Sequence, residues 1–317
     1  MGSREAVAMV KIDLITGFLG AGKTTFLKKY ADFAMYQVKK STKGNLAEFD
    51  KDLYEDEKHD RQMHLEFYQL IEKEQLTYHF QPILSAKDGE IIAYEALMRS
   101  QLATLKNPEM ILKIAREENK LEDVERICIF KSTETFDQLR KNKLIKEDAL
   151  LFINSIASVS LNDEDRERFH HYFSHIQSRI VVEVTEEENM SEEALVRKKE
   201  TKGFSGMFAL DDYGSGYNTE INLLNLNPKY IKIDLTIVRD IDKDFDKQQL
   251  VSNIVEYAHQ RDAYIIAEGI ETKEELLKVL ELGVDYLQGY YLSYPQSNPQ
   301  EVSDESIQAI DNYWKKR

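Results

Sequence analysis

The sequence predicts an α/β fold, a closed barrel of eight strands that occupies the larger C-terminal part of the chain. Three observations lead to this prediction. Eight apolar segments of strand-like length follow one another from residue 76 onward, and most are separated by amphipathic segments long enough for a helix. Alternating strands and helices form a parallel sheet covered by helices. Eight such strands within roughly 240 residues favour closure into a TIM-like (β/α)8 barrel.

The strand-like segments are bounded by polar or turn-forming residues. They are Tyr78–Leu84, Ile91–Met98, Ala149–Asn154, Ile180–Val184, Met207–Leu210, Tyr230–Ile233, Tyr264–Ala267 and Tyr286–Leu292. Helical segments between them include Asn107–Glu118, Asn222–Leu226, Gln248–Arg261 and Lys273–Leu282. Residues 85–90, which join the first two strands, are too few for a parallel crossover of a dozen or more residues. The first strand is therefore predicted to run antiparallel to the second.

Composition narrows the possible functions. A net charge of -15 argues against binding of polymeric nucleic acid, which needs a basic surface. The single Cys128 excludes a disulfide framework and a cysteine metal cluster, and it fits a reducing compartment, so we expect a cytoplasmic protein. The sequence contains no run of about 18 apolar residues, so no membrane segment is expected.

A densely charged segment, residues 51–75, precedes the predicted barrel. Its apolar residues Met63, Phe67, Leu70 and Ile71 recur at helical spacing. This pattern indicates a linker helix with one apolar stripe, while the charge density is equally typical of a solvated tether. We place the domain boundaries at 1–50 for an N-terminal extension, 51–75 for the linker and 76–317 for the barrel.

Polar residues interrupt the apolar strands near their C-terminal ends. They are Glu95, Asn154, Glu183, Asp211, Asp212 and Glu268, with Lys232 and Gln288 in comparable places. An α/β barrel carries its active site on this face, so the strands would bring several oxygen ligands to one place. Hard cations such as Mg²⁺ and Mn²⁺ bind such ligands, and carboxylates so close together repel one another without a cation.

Each of these residues also has an ordinary structural interpretation. Asp211 and Asp212 precede Tyr213-Gly214-Ser215-Gly216 and could form a turn. Lys232 could pack its stem in the strand and extend its ammonium to water. A lone acid at a strand end is usually solvated or caps a helix. The set as a whole favours a site, because buried strands rarely carry charge that is neither paired nor bound to metal.

Residues from about 76 to the C-terminus resemble the EAL domain throughout. The resemblance rests on eight motifs in order: Phe80-Gln81-Pro82, Tyr94-Glu95-Ala96-Leu97-Met98-Arg99, Phe152-Ile153-Asn154-Ser155, Val182-Glu183-Val184-Thr185-Glu186, Leu210-Asp211-Asp212-Tyr213-Gly214-Ser215-Gly216-Tyr217, Ile231-Lys232-Ile233-Asp234, Ala267-Glu268-Gly269-Ile270-Glu271 and Leu287-Gln288-Gly289-Tyr290. It implies a cyclic di-GMP phosphodiesterase that opens the ring to linear pGpG with two divalent cations, Mg²⁺ or Mn²⁺.

The resemblance also implies roles for individual residues. One metal would be held by Glu95, Asn154, Glu183 and Asp211, and Asp212 would bridge toward or hold the second. Lys232 would orient or activate the attacking water, and Glu268 and Gln288 would complete the site. Gln81, Arg99 and Asp234 would contact the substrate, and Glu186 would brace the loop after Asp212. Many relatives dimerise, so a homodimer is expected.

Three departures from the family pattern are mild. They are Tyr213 for the common Phe, Ser215 for Thr, and Asn218-Thr219-Glu220 in a loop that is usually small and less charged. A catalytically silent cyclic di-GMP receptor is the alternative function, because some relatives have lost ligands and only bind the dinucleotide. All of the implied ligands are present here, which favours the hydrolase.

The N-terminal extension contains a phosphate-loop pattern. Residues 17–24 fit G-x-x-x-x-G-K-[ST] after a strand-like segment, and they resemble the opening of metal-chaperone GTPases. Gly17 and Gly22 would expose backbone N–H groups to phosphate, Lys23 would reach the outer phosphates, and Thr24 would ligate Mg²⁺. A nucleoside triphosphate switch is thus a third hypothesis.

The extension is too short for a complete nucleotide-binding domain. Only about 50 residues precede the linker, and Tyr30 to Phe49 resembles the last helix and strand of a GGDEF domain. One strand, loop and helix cannot bury enough apolar surface to hold a phosphate cradle. We interpret residues 1–50 as two joined domain fragments without a working nucleotide site.

Overall fold

A computed structural model describes residues 51–185, 207–214, 219–299 and 302–316. The chain divides into two compact units, Met1–Glu66 and Phe67–Arg317. All predictions for residues 1–50 lie outside the described residues. Within the described residues, no helix combines the length and apolar character needed to cross a membrane.

The linker segment forms a helix, α1, over Lys51–Lys73. Phe67 and Leu70 of its predicted stripe are fully buried in the second unit. Of the two interpretations of this segment, the structure supports the helix.

Eight strands form a closed barrel in chain order. They are β1 (Leu76–Ser85), β2 (Ile91–Ser100), β3 (Leu150–Asn154), β4 (Ile180–Thr185), β5 (Met207–Tyr213), β6 (Tyr230–Ile233), β7 (Tyr264–Ala267) and β8 (Tyr286–Leu287). β1 pairs antiparallel with β2 and with β8, while the pairs from β2 to β8 are parallel. The predicted barrel and its antiparallel first strand are confirmed.

The last strand is shorter than the predicted Tyr286–Leu292. After Leu287 the chain turns at Gly289, whose φ of +157° is a backbone conformation that other residues rarely adopt. The turn places Gln288 O and Tyr291 N against Ile270, with hydrogen bonds of 3.1 and 3.0 Å. A side chain at Gly289 would place its Cβ 2.2 Å from Ile270 O, so this close packing requires glycine.

Helices cover the outside of the barrel, and the four predicted ones are present with ends shifted by a few residues. They are α2 (Pro108–Glu117), α3 (Leu121–Lys141), α4 (Asp163–Phe173), α5 (Thr219–Leu226), α6 (Leu235–Val238), α7 (Phe245–His259), α8 (Lys273–Glu281) and α9 (Asp304–Lys315). Local sequence explains their starts. Asn107 is the N-cap of α2, which begins at Pro108, and its Oδ1 accepts a hydrogen bond from the backbone N–H of Glu109. Thr272 and Glu275 form a capping box at the start of α8.

An apolar layer, here called the lower layer, fills the part of the barrel interior nearer the N-terminal ends of the parallel strands. Its buried members come from seven strands: Ile83, Ala93, Phe152, Val181, Ala209, Tyr230 and Ile266, with Tyr286 of β8 packed against them. Alternate residues of a strand face the same side, so the residue two positions further along each strand also points inward. That next layer holds the predicted site.

Candidate active site

The polar residues form a second layer, here called the upper layer, next to the apolar one and nearer the C-terminal ends of the parallel strands. In β2 to β7, each predicted site residue lies two residues after a member of the apolar layer: Ala93 and Glu95, Phe152 and Asn154, Val181 and Glu183, Ala209 and Asp211, Tyr230 and Lys232, Ile266 and Glu268. Gln288 likewise follows Tyr286 by two residues. Gln81 precedes Ile83 because β1 runs the opposite way, and it pairs with Glu95 across the ladder. The period-two pattern of the strands thus assembles the site.

A β-bulge adds Asp212 to this layer. Leu210 pairs with Ile231 and Tyr213 with Ile233, so Asp211 and Asp212 together face the single residue Lys232. Asp212 has a φ of +57°, a left-handed conformation that aspartate tolerates better than most residues. Consecutive side chains of a regular strand point to opposite faces, but the bulge lets both carboxylates line one cavity.

Lys232 lies at the centre of the acidic residues and is only 1% exposed. Its Nζ is 2.6 Å from Glu183 Oε1, 2.7 Å from Glu268 Oε1, 2.9 Å from Asp211 Oδ1 and 3.4 Å from Glu95 Oε2. With Asp212, five carboxylates share this one ammonium. If all are ionised, the group carries an excess of four negative charges.

Amide side chains fix the orientation of Glu95. Gln288 Nε2 donates to Glu95 Oε2 at 2.7 Å and to Gln81 Oε1 at 3.3 Å. Asn154 Nδ2 donates to Glu95 Oε1 at 3.2 Å. Gln81 Nε2 in turn donates to Ser293 O at 3.1 Å. Both oxygens of Glu95 are therefore held before any ligand binds.

The excess negative charge shifts the titration of the group. Burial and repulsion from Glu95 raise the pKa of Glu183 well above its usual range, although Lys232 opposes the shift. Burial and repulsion from Asp211 raise the pKa of Asp212 to about 6. Burial would lower the pKa of Lys232, but the surrounding carboxylates hold it well above its usual range. Lys232 is thus an ammonium, and the carboxylates favour uptake of protons or a cation.

The donor set fits divalent metal ions. Ligand oxygens of Glu95, Glu183 and Asp211 lie within 4.8 Å of one another, and so do those of Asp211, Asp212 and Glu268. Among the described residues, Glu183 Oε1 and Oε2 and Asp211 Oδ1 are buried without a well-directed hydrogen bond, despite the short ion-pair contacts of Lys232. Buried carboxylate oxygens of this kind suit hard cations such as Mg²⁺ and Mn²⁺. Asp211 belongs to both groups, as a shared ligand would.

The cavity above these residues has a volume of about 450 Å³. It is lined by Gln81, Glu95, Asn154, Asp211, Asp212, Lys232, Glu268 and Gln288, all of which the sequence predicted. Five further lining residues were missed: Leu235, Gly269, Glu271, Gly289 and Tyr290. Leu235, Gly269 and Gly289 have no polar side chain that could signal a site, whereas Glu271 and Tyr290 do carry polar groups. Each of the five follows a predicted site residue by one to three positions.

Two predicted substrate contacts do not line this cavity. Arg99 lines a neighbouring cavity of about 290 Å³, which also includes Asn154, and its Nη1 donates to Met98 O at 2.9 Å. Asp234 is 8% exposed, and its Oδ1 accepts the N–H of Thr236 at 2.9 Å. The structure thus makes Asp234 the N-cap of α6, because its side chain is turned back to the first turn of that helix. Glu186, Gly17, Gly22, Lys23 and Thr24 lie outside the described residues.

Residues 65–295 match the EAL domain family. The chain belongs to this family. Among curated relatives of this EAL protein, the bifunctional diguanylate cyclase/cyclic di-GMP phosphodiesterase MucR of Pseudomonas aeruginosa is 27% identical over 307 residues, 92% of this chain and 44% of MucR. Cyclic di-GMP phosphodiesterase NbdA of the same organism is 26% identical over 278 residues, 85% of this chain and 35% of NbdA. The chain thus spans less than half the length of these relatives.

Solved structures share the barrel of this EAL protein. A complex of the PaMucR phosphodiesterase with c-di-GMP is 26% identical, has a TM-score of 0.63, and matches 74% of this chain and 97% of its own. The FimX EAL domain of Xanthomonas citri in complex with c-diGMP is 18% identical, with a TM-score of 0.63 and coverage of 79% and 99%. The second likeness shows the fold alone.

Proposed function

We propose that the protein hydrolyses cyclic di-GMP to linear pGpG. One observation carries the proposal: five carboxylates, one ammonium and three amides converge at the C-terminal end of the barrel in two groups suited to divalent cations. Membership of the EAL family and relatives named as cyclic di-GMP phosphodiesterases support the same substrate. Hydrolysis adds one water to a phosphorus, breaks its bond to a ribose 3′ oxygen, and returns a proton to that oxygen.

Two cations, Mg²⁺ or Mn²⁺, complete the proposed site. Glu95, Asn154, Glu183 and Asp211 would hold one, and Asp211, Asp212 and Glu268 the other. When bound, such ions lower the pKa of water and neutralise phosphate oxygens. Gln288 and Asn154 keep Glu95 aligned for its ligand role.

Lys232 serves this reaction as a fixed positive charge. Its ammonium stays protonated among the carboxylates, so it orients water and balances charge rather than removing a proton. Glu268 is the most exposed of the four carboxylates that contact Lys232, and its side chain is 17% exposed. It faces the cavity where an attacking water would lie.

Incubation with cyclic di-GMP and Mg²⁺ or Mn²⁺, followed by chromatography, tests the proposal. We expect pGpG to accumulate, and we expect EDTA to stop its formation. The matched control is Glu95→Gln, which keeps the shape of the side chain but removes its charge. Binding of cyclic di-GMP by the wild type without any pGpG, under saturating metal, would instead identify a silent receptor.

We further propose that residues 1–50 take no part in this hydrolysis, and that Gly17, Gly22, Lys23 and Thr24 form no working nucleotide site. The support is the resemblance of residues 1–50 to two joined domain fragments. Lys23→Ala should therefore leave turnover of cyclic di-GMP within a few-fold of wild type. A large loss in a folded variant, or GTP binding by the wild type that Lys23→Ala abolishes, contradicts this proposal.

Five other predictions remain open to test. The domain boundaries at residues 50 and 75 can be tested by limited proteolysis, and a homodimer by sedimentation. Fractionation of cells tests the cytoplasmic location. Contacts of Arg99 and Asp234 with substrate also stay predictions, as does the bracing role of Glu186.

A further inference from the structure

A single helical turn, α6 (Leu235–Val238), continues the strand that carries Lys232. One turn cannot sustain itself, because helix nucleation is unfavourable. Side chains hold both of its ends. Asp234 caps the first turn, and Lys247 Nζ from α7 donates to Thr236 O and Arg239 O, each at 2.7 Å. The geometry of α6 thus depends on groups outside the helix.

The same turn packs against the loops that follow two other catalytic strands. Leu235 contacts Gly269, the residue after Glu268, where an added Cβ would lie 2.4 Å from Leu235 Cβ. Ile237 contacts Gly214, two residues after Asp212, where an added Cβ would lie 2.1 Å from Ile237 Cδ1. One short element therefore contacts the ends of β5 and β7 and extends β6.

A buried carboxylate ties the turn after α6 to the loop after Glu268. Glu275 of α8 is 4% exposed. Its Oε1 accepts Asp240 N at 2.9 Å, and its Oε2 accepts Glu271 N and Thr272 N at 2.9 and 3.0 Å. α6 is consequently held on one side by Lys247 and on the other by Glu275.

We propose that α6 sets the separation of the catalytic carboxylates, and that Lys247 is a positioning residue acting through α6. The inference rests on the proposed hydrolysis. Without the Lys247 ammonium, Thr236 O within α6 and Arg239 O just after it lose their charged donor, and the last residues of α6 fray. Ile237 and Leu235 then release Gly214 and Gly269, and Asp211, Asp212 and Glu268 lose their fixed spacing. Metal affinity and kcat fall together, while the substrate KM changes little.

Lys247→Met tests the proposal because methionine keeps much of the apolar stem and removes the donors. We expect kcat to fall about tenfold, the low end of the range for residues that support a metal ligand, and Mn²⁺ affinity measured by calorimetry to fall in proportion. KM should stay within about twofold. Lys247→Arg should restore much of both losses, since its guanidinium also donates to carbonyls. Ile237→Ala should reproduce the same pattern from the other end of the contact.

Lys243→Met is the matched control. Lys243 precedes α7, and in the described part of the chain its Nζ pairs with the exposed side chain of Asp240 at 2.6 Å. The Lys243→Met variant should retain wild-type kcat and Mn²⁺ affinity. Equal kcat and equal Mn²⁺ affinity in the Lys247→Met and Lys243→Met variants would overturn the proposal. If the wild type fails to hydrolyse cyclic di-GMP, the proposed function fails, and the Mn²⁺ comparison still decides the role of Lys247.

Discussion

The barrel interior contains two layers that the same strands build and that differ in chemistry. In the lower layer, Phe152 and Tyr230 meet with ring centroids 5.0 Å apart, the other buried members are aliphatic, and Tyr286 packs against them. In the upper layer, two residues further along, Asn154 and Lys232 lie among carboxylates. The lower layer is buried throughout, whereas the upper layer combines buried Glu95, Glu183, Asp211 and Lys232 with partly buried Asp212 and Glu268 and exposed Asn154. The lower layer therefore stabilises the closed barrel through apolar contacts, while the upper layer concentrates charge that only a cation or protons can balance.

The comparison predicts its largest effect for Asp211→Asn in the upper layer. Asparagine keeps the shape of the side chain and loses the negative charge that both proposed cation groups share. Turnover of cyclic di-GMP should fall at least about a hundredfold, with the melting temperature at or above that of wild type. Steady-state kinetics over a metal titration, paired with thermal melts, measure both. Wild-type turnover would mean that Asp211 is only a turn residue.

Phe152→Leu exchanges a residue of the lower layer and should show the opposite pattern. The smaller side chain leaves a cavity beside Tyr230 and should reduce the free energy of unfolding by about 1–3 kcal/mol. The polar layer above keeps all its groups, so kcat per folded molecule should change little. Urea unfolding and kinetics at saturating metal separate the two effects. A stable but inactive variant would contradict the division of roles between the layers.

A substitution that removes one buried charge and keeps the side-chain volume sharpens the comparison between the two layers. Glu183→Gln relieves repulsion from Glu95 and Asp211 in the metal-free protein, and Lys232 keeps its other carboxylate contacts. We expect the melting temperature in EDTA to rise by about 2–4 °C, the shift typical of about 1 kcal/mol. Saturating Mg²⁺ should reverse the order, because wild type binds the ion more tightly. A lower melting temperature in EDTA would show that the Glu183–Lys232 pair outweighs the repulsion.

Much of this arrangement could be predicted from the sequence, because strand alternation is a strong constraint. Polar residues near the C-terminal ends of the apolar runs were enough to place Glu95, Glu183 and Glu268 on one end of a barrel. The six-residue connection before β2 was enough to reverse β1. These predictions needed only the order of strands and helices, the face on which a barrel carries its active site, and the length of one loop.

Other features depend on contacts between distant segments. The left-handed Asp212 and its bulge are stabilised by pairing with β6, and nothing in the local sequence separates them from an ordinary turn. No local pattern indicated that the carboxylate of Asp234, a predicted substrate contact, caps α6. β8 was predicted too long, because its turn at Gly289 is set by the approach of Ile270. Each of these features concerns backbone geometry fixed by tertiary packing.

The smallest predicted effect concerns the pH dependence of stability in the metal-free protein. The folded pKa of Asp212, about 6, lies above its ordinary value of 3.8, so the folded state binds more protons than the unfolded state between these values. Stability therefore falls as the pH rises through this window, and the loss is complete above it.

Asp212→Asn lacks this titration. In EDTA, the melting temperature of Asp212→Asn minus that of wild type should increase between about pH 4.5 and 6.5 and stay constant at higher pH. Parallel melting curves for the two proteins across this range would show that Asp212 titrates normally and lies outside the charged layer. With Mn²⁺ present, wild type should have the higher melting temperature above about pH 6.5, since the cation binds the ionised carboxylate that only the wild type possesses.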